Sequence, residues 1–302
     1  TGGDINITLD AWVAATAAPG NYLNTVFATS TESPRIKDSD TITVSAANGN
    51  CFDVAHTALT SAQTTSTSLP SAGRSASADL PAPGSIAVFC SFASETVAGS
   101  ATGYWDLQMD GSYSSQTVSR YLAPSGRGLG SCINVFPSLG AGTHTVRLRH
   151  ATSSSGNAVR TRQADLVVLP LTSEDGQVVL NYGKGTIGTS GASTTSNSLT
   201  NVTGLNTSVT NDVRGKIFVA ATMSGESADA LAKTGTWDLV MDGVPIGVPV
   251  RRYLSGTNDQ GLVTLVGLSG VLSAGSHSAA VRHATSAGTL EPSNGTILAI
   301  SL

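Results

Sequence analysis

The chain has 302 residues, of which 40% are hydrophobic and only 12% charged, with a net charge of −4. That length is enough for two domains with separate cores. The sparse charge offers no basic stripe to neutralise phosphates, so nucleic acid is not an expected partner. No apolar run approaches the ~20 residues needed to cross a bilayer as a helix. Abundant Gly, Ser and Thr without long helix-forming runs read as short strands joined by many turns.

The chain opens on Thr1 with no basic-then-apolar leader ahead of it, which reads as a mature exported protein, secreted or held at a cell surface. Residues 4–13 alternate as a strand: Ile5, Ile7, Leu9, Ala11 and Val13 on one face, Asn6, Thr8, Asp10 and Trp12 on the other. Aliphatic side chains worth ~1.5–3 kcal/mol each on burial must find a groove. The groove can belong to the chain's own first domain. It can also belong to a neighbouring molecule, as in donor-strand complementation, where ladder bonds give affinity and alternate side chains give register. Pro19-Gly20-Asn21 and Ser33-Pro34 then read as a hinge-like connection rather than a tight hairpin.

From about residue 40 the chain says nearly the same thing twice. The Ser/Thr stretch 57–79 reads as long connections or edge strands. Ile86, Val88, Cys90 and Phe92 alternate with small residues. Trp105, Leu107 and Met109 share one face and Asp106, Gln108 and Asp110 the other, ending on the turn signal Asp110-Gly111. Arg120-Tyr121-Leu122 follows, then a strand with His144, Val146, Leu148 and His150 on one face, and a last strand Asp165–Leu171. In the second copy Trp237, Asp242-Gly243, Arg252-Tyr253-Leu254, His277 and His283 return at an offset of 132 or 133 residues. A period this long fits whole domains rather than solenoid units. The division is therefore a front extension of 1–39, one domain at 40–172 and another at 173–302. No flexible linker separates the copies, so they should sit close together. The expected fold is all-β: two tandem antiparallel jelly-roll β-sandwich domains with an N-terminal extension strand.

Leu139-Gly140-Ala141-Gly142-Thr143-His144 and Leu272-Ser273-Ala274-Gly275-Ser276-His277 each precede an alternating strand. The second copy closes on Thr296-Ile297-Leu298-Ala299-Ile300-Ser301-Leu302. These features resemble the last strands of C1q/TNF-like jelly rolls, modules that also occur in bacterial surface proteins and phage fibres. The resemblance covers the second half of each copy and implies a binding or assembly role without catalysis.

Cys51, Cys90 and Cys132 all fall in the first copy, with Ala221 opposite Cys90 and Thr264 opposite Cys132 in the second. A disulfide is possible, and its pairing stays open. His144 and His150 would lie about 20 Å apart along a strand, too far to share a metal. Asp106 and Asp110 would lie about 13 Å apart, beyond the reach of a hydrolytic pair. Asp106 and Asp238 are instead expected to pair across strands with Arg149 and Arg282. No nucleophile motif, phosphate loop or Cys/His metal spacing occurs, so neither catalysis, a metal nor a cofactor is expected.

What the copies share is framework. The expected function is therefore assigned to the front: a non-catalytic extracellular structural protein, polymerising with itself into a surface filament by inserting Ile5, Ile7, Leu9, Ala11 and Val13 into the next subunit. The alternatives are a surface adhesion or carbohydrate-binding module, with surface glycans as partners and tandem copies giving avidity, and a viral capsid or fibre protein.

Overall fold

A computed structural model describes residues 20–30, 33–44, 53–56, 62–114, 116–172, 180–188, 193–256 and 259–302. The chain divides into two compact units, Thr1–Gly49 and Asn50–Leu302. In the first, β1 (Gly20–Ser30) and β2 (Ser33–Val44) form an antiparallel hairpin from Gly20↔Val44 to Ser30↔Ser33. Of the segments expected to act as a hinge, Gly20-Asn21 and Ser33-Pro34 are thus parts of paired strands, and Pro19 lies outside the described residues. Tyr22, Thr25, Val26 and Phe27 in β1 and Thr41-Ile42-Thr43-Val44 in β2 are residue types that favour strands. Pro34 is tolerated because both strands of a two-stranded sheet are edges. The expected boundary at residue 39/40 falls inside β2. Ile5, Ile7, Leu9, Ala11, Val13 and Cys51 lie outside the described residues.

The second unit begins with β3 (Asp53–His56), β4 (Ala62–Thr64), β5 (Ser71–Leu80), β6 (Gly84–Thr96) and β7 (Ala101–Met109). It continues through β8 (Ser112–Tyr113), β9 (Val118–Leu122), β10 (Arg127–Leu139), β11 (Gly142–Thr152) and β12 (Val159–Pro170). The second copy supplies β13 (Tyr182–Ile187), β14 (Thr200–Asn211), β15 (Ile217–Ser227), β16 (Lys233–Met241) and β17 (Val244–Pro245). It ends with β18 (Val250–Leu254), β19 (Gln260–Leu268), β20 (Gly275–Thr285) and β21 (Leu290–Ser301).

One sheet of the first copy runs β3-β12-β6-β10 with β4 also on β12, and the other runs β5-β11-β7 with β8 and β9 on β7. The second copy repeats both, as β13-β21-β15-β19 and as β14-β20-β16 with β17 and β18 on β16. With the short strands β4, β8 and β17 set aside, each copy has eight. The first pairs with the eighth, the eighth with the third and the third with the sixth. The second, seventh, fourth and fifth make the facing sheet. This is the jelly-roll order, and it occurs twice. The Ser/Thr stretches become the edge strands β5 and β14.

The inward faces are those the period-two pattern predicts. Ile86, Val88, Cys90 and Phe92 of β6 meet Trp105, Leu107 and Met109 of β7 across the first sandwich, with Val146, Leu148, Leu166 and Val168. Phe92 stacks on Trp105 with ring centroids 4.8 Å apart. Gly103 makes room for that indole: a Cβ there would fall 2.1 Å from Trp105 Cη2, and Gly235 stands in the same relation to Trp237.

A third cluster joins the sandwiches. The outer faces of β6, β10 and β12 (Ala87, Phe89, Ile133, Val135, Leu169) pack on those of β15 and β21 (Phe218, Ala220, Leu298, Ile300). Phe89 and Phe218 meet edge to face at 5.9 Å. This explains why Ile297-Leu298-Ala299-Ile300 is a continuous apolar run, since β21 is buried on both faces. Polar pegs lock the seam: Ser131 Oγ lies 2.9 Å from Thr222 Oγ1 and 2.5 Å from Thr264 Oγ1, and Lys184 Nζ donates to Asn134 Oδ1.

Candidate functional site

Most of the repeated polar residues are spent on the framework. Asp110-Gly111 and Asp242-Gly243 turn β7 into β8 and β16 into β17 with positive φ at both residues, as a type I′ hairpin requires. Asp110 also accepts from His144 Nδ1 at 2.6 Å and from the Thr145 amide at 2.8 Å. Asp242 repeats this with His277 at 2.7 Å and the Ser278 amide. The other ring nitrogens donate to the carbonyls of Gly140 and Ser273. Burial opposes the charged form of His144, but the Asp110 carboxylate and the Gly140 carbonyl hold its pKa above the usual value. In His277 the bond to Asp242 leads the same rise. Arg149 forks onto Asp106 and Arg282 onto Asp238, as the register predicts.

The repeated Arg-Tyr-Leu has a different fate. Arg120 on β9 and Arg252 on β18 each lie flat across a glycine of the next strand. A Cβ on Gly128 would meet Arg120 Cζ at 2.1 Å, and one on Gly261 would meet Arg252 Cζ at 1.8 Å. Because the sandwiches dock at this end, the two equivalent guanidinium groups converge. Burial, and then the positive charge of Arg252, hold Arg120 below its usual pKa, with Asp259 acting the other way. Arg120 Nη1 donates to the Leu129 carbonyl at 2.7 Å, and Arg252 Nη2 approaches Asp259 Oδ1 at 3.4 Å. The Nε atom of each is buried without a partner.

Beside them opens a cleft of 430 Å³, lined by Arg120, Tyr121, Gly126 and Arg127 of the first sandwich and Ser255 and Asp259 of the second. Tyr121 is 40% exposed. Asp259 accepts from the Ser255 amide and hydroxyl, which together with Arg252 keep its carboxyl ionised against the effect of burial. Next to Arg127, the buried Glu95 collects three arginines: Arg162 at 2.6 Å, Arg160 at 3.1 Å and Arg127 at 3.2 Å. The Arg162 bond leads in holding the Glu95 carboxyl below its ordinary range. Five guanidinium groups thus face two carboxylates, a local positive excess on a chain of net charge −4.

That excess belongs to the first copy. Glu95 pairs in register with Arg127 and Arg160, whereas its counterpart Glu226 pairs with Gln260 and Glu291. The loop between the fifth and sixth strands also differs by one residue, 123–126 against 255–259, and the longer version carries Asp259. The same insertion corrects one alignment: the residue opposite Cys132 is Leu265, which faces Ala221 as Cys132 faces Cys90. Sequence comparison aimed at shared residues passes over this cleft. Its signal is the change of offset from 132 to 133 together with arginines the second copy lacks.

Among the described residues, no group of three or more His, Cys, Asp or Glu side chains is placed to hold a metal ion, and no helix is long and apolar enough to cross a membrane. The five residues expected to form a polymerisation interface lie outside the described residues, as does Cys51.

No family model matches the chain, and no curated protein sequence does. Among solved structures it is similar to PNGF-II at 9% identity, covering 80% of this chain and 64% of that one, with a TM-score of 0.31. The chain therefore spans less than two thirds of that protein's length. It is also similar to the tandem CBM22-1-CBM22-2 domains of Paenibacillus barcinonensis Xyn10C, at 9% identity over 85% of this chain and 95% of that one, TM-score 0.22. A third likeness is to a beta-porphyranase of glycoside hydrolase family 86 from Bacteroides plebeius, at 10% identity over 79% and 37% of the two chains, TM-score 0.25. At these scores the likenesses carry no argument, and the fold rests on the strand order itself.

Proposed function

We propose that this chain is a non-catalytic extracellular binding protein that takes an acidic saccharide, one bearing carboxylate or sulfate groups, in the cleft between its two jelly rolls. The observation that carries this reading is a cleft lined by Arg120 and Arg127 with a single lining carboxylate, Asp259, and with Arg252 close to Arg120. Guanidinium groups match carboxylate and sulfate in geometry, and partly desolvated ones bind them more strongly than surface lysines do. The exposed Tyr121 ring beside them offers an apolar face for a sugar ring, and 430 Å³ is within the usual size of a ligand site. Within the cleft the Ser255 hydroxyl is bonded to Asp259, and no histidine lines it to act as a base, which supports binding without turnover.

Self-assembly through residues 4–13 would require a strand outside the described residues, so the cleft is the better-supported site. Affinity electrophoresis tests the choice. In gels containing polygalacturonate or a sulfated galactan the protein should be retarded, and in gels containing neutral glucan it should not. Arg127→Ala, a change at an exposed side chain, should cut the retardation several-fold. Equal retardation in the neutral gel, or none in any gel, overturns the reading.

A further inference from the structure

Cys90 and Cys132 stand directly opposite each other on the antiparallel strands β6 and β10. Both are free thiols in this structure, 3% and 4% exposed and part of the same core, so both side chains leave the sheet on its inner face. Opposed residues in an antiparallel pair have Cα atoms about 4.5 or 5.5 Å apart, depending on the pair type. Both values fall within the ~4.4–6.8 Å that a disulfide spans. The equivalent second-copy pair, Ala221 and Leu265, fills the same space with one small and one large aliphatic side chain. Packing alone therefore does not require two sulfurs here. Burial pushes both thiols above their ordinary pKa, and the nearness of Cys90 adds to the rise at Cys132. Once the sandwich is closed neither is a thiolate, so a bond between them must form while the strands are still accessible.

We propose that Cys90 and Cys132 form an intramolecular cross-strand disulfide, made by thiol–disulfide exchange before the first sandwich closes. One cysteine thiolate attacks a sulfur of a disulfide oxidant, a small molecule or an oxidase, and releases half of it as a thiol. The second cysteine thiolate then attacks the mixed disulfide at the protein sulfur and releases the other half. Two protein thiols are oxidised, one oxidant disulfide is reduced, and the two protons end on the released thiols. The bond ties β10 to the centre of its sheet. β10 is an edge strand that carries Ser131, Ile133 and Val135 into the seam between the sandwiches and follows directly on the cleft loop. The described strand nearest Cys51 in sequence, β3, pairs with β12 and not with β10.

The test refolds the reduced full-length chain in a glutathione redox buffer, blocks remaining thiols under denaturing conditions, and maps the peptides by mass spectrometry. Cleavage at Arg120 and Arg127 separates the two cysteines. The expected result is one blocked cysteine, Cys51, and a linked pair of peptides holding Cys90 and Cys132. Added reductant should lower the melting temperature by several degrees. A Cys90→Ala/Cys132→Leu variant, carrying the second copy's residues, should fold and lose that sensitivity. Three blocked cysteines, or a link that includes Cys51, would overturn the proposal.

Discussion

A single hydroxyl separates the two cores. In the first sandwich Trp105 Nε1–H donates to Thr161 Oγ1 at 3.0 Å, and the same hydroxyl is hydrogen-bonded to His150 Nδ1 at 2.9 Å. In the second sandwich Pro292 occupies the place of Thr161, pairing with Gly225 as Thr161 pairs with Ser94. Trp237 Nε1 and His283 Nδ1 are accordingly buried without partners. Leaving buried polar groups unbonded costs about 1–3 kcal/mol each. Thr161→Val should therefore destabilise the chain by roughly 2–4 kcal/mol in urea unfolding, while Pro292→Thr should stabilise it by about 1 kcal/mol. No change in either variant would remove the hydroxyl from this role.

The histidines also give the molecule a pH signature. Burial lowers His150 and His283 to about 4. Between pH ~6.5 and ~4 the unfolded chain binds protons there that the folded chain does not, so stability falls as pH drops through that window, by roughly 3 kcal/mol per site. His144 and His277 run the other way. Their raised pKa values contribute stability that is complete below the ordinary histidine pKa and is lost as pH rises through the raised values. Melting temperature should peak near neutrality, and His150→Gln with His283→Gln should flatten the acid side. An unchanged acid side in the double variant would mean that other groups govern it.

At the scale of elements, strand identity and facing were legible because the inward residues of the strands recur with period two. The sequence Trp105-Asp106-Leu107-Gln108-Met109 fixes β7 unambiguously, and Asp110-Gly111 fixes its turn. The outward faces were harder to read. Ile133, Val135, Leu298 and Ile300 look like ordinary strand residues until a second sheet is placed on them. A one-residue insertion in the loop at 255–259 shifts the strand after it, which is why counting alone makes Thr264 and not Leu265 the counterpart of Cys132. The cleft was illegible for a related reason. Its arginines lie on β9, β10, β12 and β18, and nothing local records that docking brings β9 and β18 together.

At the scale of the whole molecule, the seam makes the tandem copies one body, Asn50–Leu302. Apolar burial at the junction couples their unfolding, so calorimetry should show one transition for this unit. Val135→Asp places an unpaired carboxylate in the seam, a penalty of several kcal/mol, while sparing the residues of both inner cores. Two transitions should then appear, and a single one would mean that the sandwiches do not depend on this contact.

The central claim is that docking creates an anion-binding cleft at Arg120, with the equivalent Arg252 beside it. Its most direct measurement is calorimetric titration of the full chain with an oligogalacturonate at two salt concentrations, for wild type, Arg120→Ala and Arg252→Ala. The account predicts wild-type binding that weakens as salt rises, and a loss of at least about tenfold, near 1.4 kcal/mol, in each variant. Binding that survives both substitutions, or that ignores salt, would contradict it.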